Sequence, residues 1–188
     1  AVAAAGTRSR TAMGARVAGD ARQSIELLMK GGDLAREENA DRVTEAHVRR
    51  GKELLERTRV TEGIAGLSSH GRYILYALVT LHLEDATPVR TRDLRPRYTT
   101  ICQAIGNKPL VPRRMRDHLG DLTMLGIADV TERNEGRSGG RYREYTLETD
   151  PRTVVNALDE TIREVGAHES LVEDGLWEQA AEADDSPR

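Results

Sequence analysis

Residues 112–127, PRRMRDHLGDLTMLGI, decide how this chain is read. Pro112 suits the first position of a helix, where its missing N–H is not needed, and Gly126 suits a helix stop. At ~100° per residue, Met115, Leu119 and Leu122 fall on one face with Leu125 at its edge. Arg113, Arg116 and Asp117 then lie opposite, with Arg114 on the flank. One side of this helix is made to pack and the other is cationic.

Working outward, Ala128–Glu132 and Tyr142–Leu147 alternate as paired strands, joined by a loop holding Gly136, Gly139 and Gly140. Upstream, Gly106-Asn107-Lys108-Pro109 reads as a turn. Before it, Thr91 caps a helix reaching about Ile105, with a kink or restart expected at Pro96. Pro88-Val89-Arg90 is short and extended. Tyr73–Leu83, YILYALVTLHL, is apolar nearly all round, so it belongs in a core, with Ser68 or Ser69 as its cap. The order helix, short strand, helix, turn, helix, β-ribbon is the winged-helix variant of the helix-turn-helix, whose second paired helix enters the major groove. The fold class expected is mainly α with a small β-wing.

Further out, residues 1–18 lack an apolar period and are expected to be frayed or disordered. Ile25, Leu27, Leu28 and Met29 predict a helix ending at Gly31-Gly32, and Thr44 caps a second helix to about Arg57. Thr61–Ser69 reads as a junction. Asp150-Pro151 opens a last amphipathic helix carrying Val154, Val155, Leu158, Ile162 and Val165. The expected units are therefore residues 1–18, a helical pair over 19–65, a winged helix over 66–166 and an acidic, solvating tail over 167–188.

The chain has 188 residues with formal net charge −3, no Phe, one Trp and five Tyr. So few aromatics argue against the stacking platforms of single-strand binders. The charges are sorted by segment. Residues 90–145 carry 12 basic and 7 acidic side chains (+5), whereas 146–188 carry 3 and 12 (−9). Only Lys30, Lys52 and Lys108 are lysines; the other basic residues are arginines, whose forked guanidinium suits phosphates and guanine edges. Lys108, Arg113, Arg114 and Arg116 gather at the start of the reading helix, and Arg137, Arg141 and Arg143 on the wing. These seven are the candidate DNA contacts. Single Cys102 excludes an internal disulfide, and no apolar run approaches a membrane span. The five histidines and Cys102 lack metal-ligand spacing, so no metal site is expected. No catalytic constellation emerges either. The expected setting is the cytoplasm, in association with the nucleoid.

The residues also resemble a family. GDARQSIELL (Gly19–Leu28) is similar to the sensor-2 motif of AAA+ ATPases, and VTEAHVRRG (Val43–Gly51) continues it as the helical lid of archaeal replication initiators. These are relatives of the origin recognition complex large subunit and of the cell division control helicase loader. SSHGRYILYAL, PVRT, Tyr98 with Cys102, PRRMRDHLGDLTMLGI and GRSGGRYREYTL resemble their carboxy-terminal winged helix. The resemblance spans about residues 19–165. It implies origin double-stranded DNA as the partner, with a replicative helicase or other initiator subunits as further partners. It also implies a lid arginine, Arg22, that reaches toward ATP in complete members, where ATP and Mg are the cofactors. No G-x-x-x-x-G-K-[ST] occurs in this chain, so no cofactor and no ATPase activity are expected of it. Two other readings are a winged-helix transcription regulator and a protein-interaction fragment that regulates a full initiator.

Overall fold

The computed structural model describes the backbone of residues 5–136, 140–173 and 175, with side chains from residue 21 onward. The chain divides into two compact units, residues 1–58 and 59–188.

The first unit contains α1 (Ala5–Glu37) and the first two-thirds of α2 (Glu45–Ala65). Two expectations are corrected here. α1 begins inside the stretch expected to be frayed, and it runs through Gly31-Gly32 instead of ending there. The glycine serves packing: a Cβ on Gly31 would sit 3.4 Å from the Val48 backbone, and one on Gly51 would sit 3.2 Å from the Gly31 nitrogen. Two glycines thus let α1 and α2 touch backbone to backbone. The stop comes later, at Asn39 with φ 52°, where Ala40 N–H donates to Ala35 O and Asn39 N–H to Arg36 O. Thr44 does cap α2, in a reciprocal box. Its Oγ1 accepts from His47 N–H (3.4 Å), while its own N–H donates to His47 Nδ1 (3.1 Å). The far ring nitrogen of His47 lies 3.0 Å from Glu38.

α2 continues past the expected end near Arg57 to Ala65, which shrinks the junction to Gly66–Ser68. The boundary between compact units accordingly falls within α2, not at residue 65. Ile64 is fully buried and Val60 packs against the second unit's core, so the last turns of α2 belong there.

The second unit follows the expected order. α3 (Ser69–Leu83) is capped by Ser68, whose side chain accepts from Gly71 N–H, and Tyr73 through Thr80 are all buried. β1 (Val89–Arg90), α4 (Thr91–Ala104), α5 (Pro112–Met124), β2 (Ala128–Asn134) and β3 (Arg141–Leu147) come next. The cap of α4 is Arg90, not Thr91, because pairing of Arg90 with Glu144 carries the extended backbone up to the helix. Neither does α4 restart at Pro96; it runs through. Leu94 on one side of the proline and Tyr98, Ile101 and Cys102 on the other are all buried, which anchors both halves in the same core.

The sheet order is β1-β3-β2, antiparallel throughout, with Val89 opposite Tyr145 and Glu132 opposite Arg143. The expected final helix is two: α6 (Pro151–Ala157) and α7 (Asp159–Val165), separated at buried Leu158. Of the acidic tail expected over 167–188, only the part up to residue 173 differs from the expectation, residue 174 and residues 176–188 lying outside the described residues. Residues 169–173 form α8, and Leu171 is 0% exposed within the core. His168 N–H donates to Tyr76 Oη at 2.8 Å, and that hydroxyl donates to Gly166 O at 2.9 Å. These bonds tie the approach to α8 against α3. Trp177 and Leu176 lie outside the described residues.

Candidate nucleic-acid interface

α5 presents the face that its spacing predicts. Met115, Leu119 and Leu122 are fully buried, while Arg113, Arg114, Arg116 and Asp117 are exposed. Val111 precedes the helix without a side-chain cap and Pro112 has no N–H. The first intrahelical bond runs from Met115 N–H to Val111 O, so the amides of Arg113 and Arg114 point out of the helix start. Such an end favours an anion. Gly126, with φ 70°, closes the helix; Ile127 N–H donates to Leu122 O at 3.0 Å.

The approach to α5 is anchored from below. Tyr98, fully buried in α4, accepts a hydrogen bond from Leu110 N–H at 3.0 Å, and its hydroxyl lies 2.8 Å from His70 Nδ1. Burial pushes the Tyr98 phenol up to about 12. Burial, with the His118 charge second, pushes His70 below its ordinary value. Asn107 Nδ2 donates to Tyr73 Oη at 3.4 Å. The turn bearing exposed Lys108 is therefore fixed to the core at both ends.

The wing inherits its facing from strand alternation. Tyr145 and Leu147 are buried, so Arg143 and Arg141, two and four residues before Tyr145, continue the same face beyond the core. There they meet α5. Arg116, Arg141 and Arg143 line one groove of about 420 Å³ together with Arg90, Thr91, Arg92 and Tyr142. Arg137 lies outside the described residues. Lys108, Arg113 and Arg114 do not line the groove; they stand exposed at and before the start of α5. Arg90, Arg92 and Tyr142 were not among the sequence candidates. Only the pairing of β1 with β3 brings the PVRT segment beside the wing, and one strand's pattern does not announce its neighbour.

The arginines differ in how they are held. Among the described residues, Lys108, Arg113, Arg114 and Arg116 have no ion pair or side-chain hydrogen bond. The wing arginines are paired. Arg143 donates from Nε (3.0 Å) and Nη2 (2.8 Å) to Glu132, Arg141 donates to Glu132 at 3.2 Å, and Arg133 donates to Glu144 at 3.2 Å. Arg90 stacks over the Tyr142 ring at 3.4 Å from its centroid and reaches Glu135 at 2.8 Å. Glu135 also accepts from Tyr142 Oη at 2.7 Å. The Arg143 hydrogen bond holds Glu132 below the usual carboxylate range, and the Tyr142 hydroxyl, then Arg90, does the same for Glu135. The positive field therefore comes chiefly from α5 and its approach, while the wing offers guanidinium groups already oriented by carboxylates.

Arg22 is an exposed residue of α1 without a hydrogen bond or ion pair among the described residues. The sequence holds no G-x-x-x-x-G-K-[ST] phosphate-cradling motif beside it. Among the described residues no three His, Cys, Asp or Glu side chains converge on a metal position. No helix there is long and apolar enough to cross a membrane.

Comparison with known proteins agrees with this anatomy. Residues 62–157 match the CDC6 C-terminal winged helix domain, and residues 8–53 match the Cdc6 AAA+ ATPase-type lid domain. ORC1-type DNA replication protein 11 of Haloarcula marismortui is 58% identical over 85% of this chain, and ORC1-type DNA replication protein 2 of the same organism is 43% identical over 86%. The chain spans 39% of the length of each. Among solved structures, that of the Aeropyrum pernix ORC1 protein in complex with DNA superposes with a TM-score of 0.69 at 32% identity. That match covers 74% of this chain and 36% of that one. With a lid match on one compact unit and a winged-helix match on the other, the chain belongs to the Cdc6 and ORC1-type family of replication proteins.

Proposed function

We propose that this chain binds double-stranded DNA at replication origins, as the carboxy-terminal module of an archaeal initiator, and that it does not hydrolyse ATP by itself. One observation carries the reading. The exposed face of α5 and the inner face of the wing open on one groove, and Arg116, Arg141 and Arg143 meet there. The solved Aeropyrum pernix relative, at 32% identity, is in complex with DNA. In this reading α5 lies in the major groove, with Arg113 and Arg116 on base edges and phosphates. Arg114 and Lys108 hold the backbone at the helix start, and Arg137, Arg141 and Arg143 hold the wing on a neighbouring groove. Arg22 acts on nucleotide only alongside a complete ATPase core.

The test is titration of origin and unrelated duplexes by fluorescence anisotropy at several salt concentrations. Arg116→Ala lowers affinity by about 5- to 100-fold if it reads a base, and flattens the log–log salt slope by about 1 if it holds a phosphate. An Arg113/Arg116/Arg141 triple alanine variant that binds both duplexes as well as the parent does would end the proposal. So would ATP hydrolysis by the purified 188-residue chain.

A further inference from the structure

We infer that Glu132 is a built-in competitor for the DNA backbone. It occupies the wing arginines in the free protein and must give way to a phosphate when the wing docks. This rests on the DNA-binding reading above and adds an opposing residue to it.

The geometry makes the exchange specific. Arg143 places both Nε and Nη2, the edge of the fork that suits a bidentate oxyanion, on the same Glu132 oxygen at 3.0 and 2.8 Å. Arg141 Nη2 takes the other oxygen at 3.2 Å. Glu132 stands opposite Arg143 in the ladder, and Asn134 opposite Arg141. One carboxylate therefore spans both guanidinium groups on the face that leads into the groove. A phosphate that used either fork would meet an acceptor already in place and a negative charge beside it.

The exchange is also accessible. The side chains of Glu132, Arg141 and Arg143 are 52%, 78% and 58% exposed. Such pairs hold weakly in water and open without disturbing the core. Arg116 contrasts with them: it lines the same groove and has no acidic partner among the described residues. The groove therefore combines an open cation on the helix with two arginines that release their own carboxylate before taking a phosphate. Counterion release scales with the phosphates neutralised by free cations. The carboxylate takes over part of that neutralisation, so it lowers affinity for any duplex and flattens the salt dependence below what the arginine count implies.

Glu132→Gln keeps the side-chain shape and a hydrogen-bond acceptor while removing the charge. Both an origin and an unrelated duplex should bind it on the order of 3- to 10-fold more tightly at low salt. The log–log slope should steepen by about 1 to 2. Asp159→Asn is the control: it makes the same change in net charge, but its partner is Arg163, outside the groove. A Glu132→Gln variant that binds as the parent does, or more weakly, overturns the inference, the second result making Glu132 a positioning residue. Equal tightening by Asp159→Asn overturns it too, since overall charge then accounts for the gain. A parent chain that binds no duplex defeats the DNA-binding reading instead, which separates the two failures.

Discussion

Removing one hydroxyl from α4, beneath the turn that leads into α5, should loosen the start of α5 without touching its charge. Tyr98→Phe deletes the acceptor of Leu110 N–H (3.0 Å) and the partner of His70 Nδ1 (2.8 Å) in a position that is fully buried. Leaving a buried donor or acceptor unpaired costs about 1–3 kcal/mol. Leu110 is only partly buried, so its share falls at the lower end, and the combined loss is about 2 kcal/mol. For a unit of this size that lowers the thermal midpoint by about 5–10 °C. Circular dichroism melting reads the first effect, and amide exchange at Leu110 should accelerate with it. DNA affinity should fall a few-fold with an unchanged salt slope, because no cation is lost. The pH response supplies a further arm. The Tyr98 phenol titrates near 10 when unfolded and about 12 when folded. The unfolded state therefore loses its proton first, and this contribution to stability disappears as pH climbs from 10 to about 12. Tyr98→Phe should flatten that alkaline limb. A variant melting within 1 °C of the parent, with Leu110 still protected, would refute the anchoring argument.

Two other changes probe the packing. Leu171→Ala should destabilise the larger unit by about 2–5 kcal/mol, as expected for a fully buried leucine, and denaturant unfolding would show it. A change below 0.5 kcal/mol would mean that α8 merely rests on the surface. Gly51→Ala puts a methyl 3.2 Å from the Gly31 nitrogen. Because that contact is backbone, it should cost the two-helix unit about 1–3 kcal/mol, read as lost helical signal or earlier proteolysis between α1 and α2. Gly32→Ala, inside α1 with nothing within 4 Å of its Cβ, is the comparison: it should stabilise the helix by about 0.5–1 kcal/mol.

The charge figures change meaning once the residues have neighbours. Residues 90–145 carry a net +5, yet in the wing Glu132, Glu135 and Glu144 are in contact with Arg133, Arg141, Arg143 and Arg90. Cross-strand pairing and the turn produce these neutralisations, and a linear count does not see them. The same holds at Gly31-Gly32, where a local stop signal lost to helix–helix approach, and Asn39 ended the helix two turns later. At Pro96 the local preference for a break yielded to apolar burial on both sides. In each case a second element supplied the deciding contact, which the preferences of one isolated element do not contain.

What the sequence determined alone was periodic or covalent. The faces of α5, the buried run of α3, the glycine that closes α5 and the alternation of the wing strands are set by 3.6- and 2-residue repeats and by which residues tolerate special backbone angles. Tertiary structure decided everything that depends on distance between elements. It set α1 against α2 at glycine contact, drew Leu171 of the acidic end into the core, placed Arg90 and Arg92 beside the wing, and coupled Arg141 and Arg143 to Glu132. A side chain's direction follows from its own helix or strand, but its partners follow from packing that residues far along the chain complete.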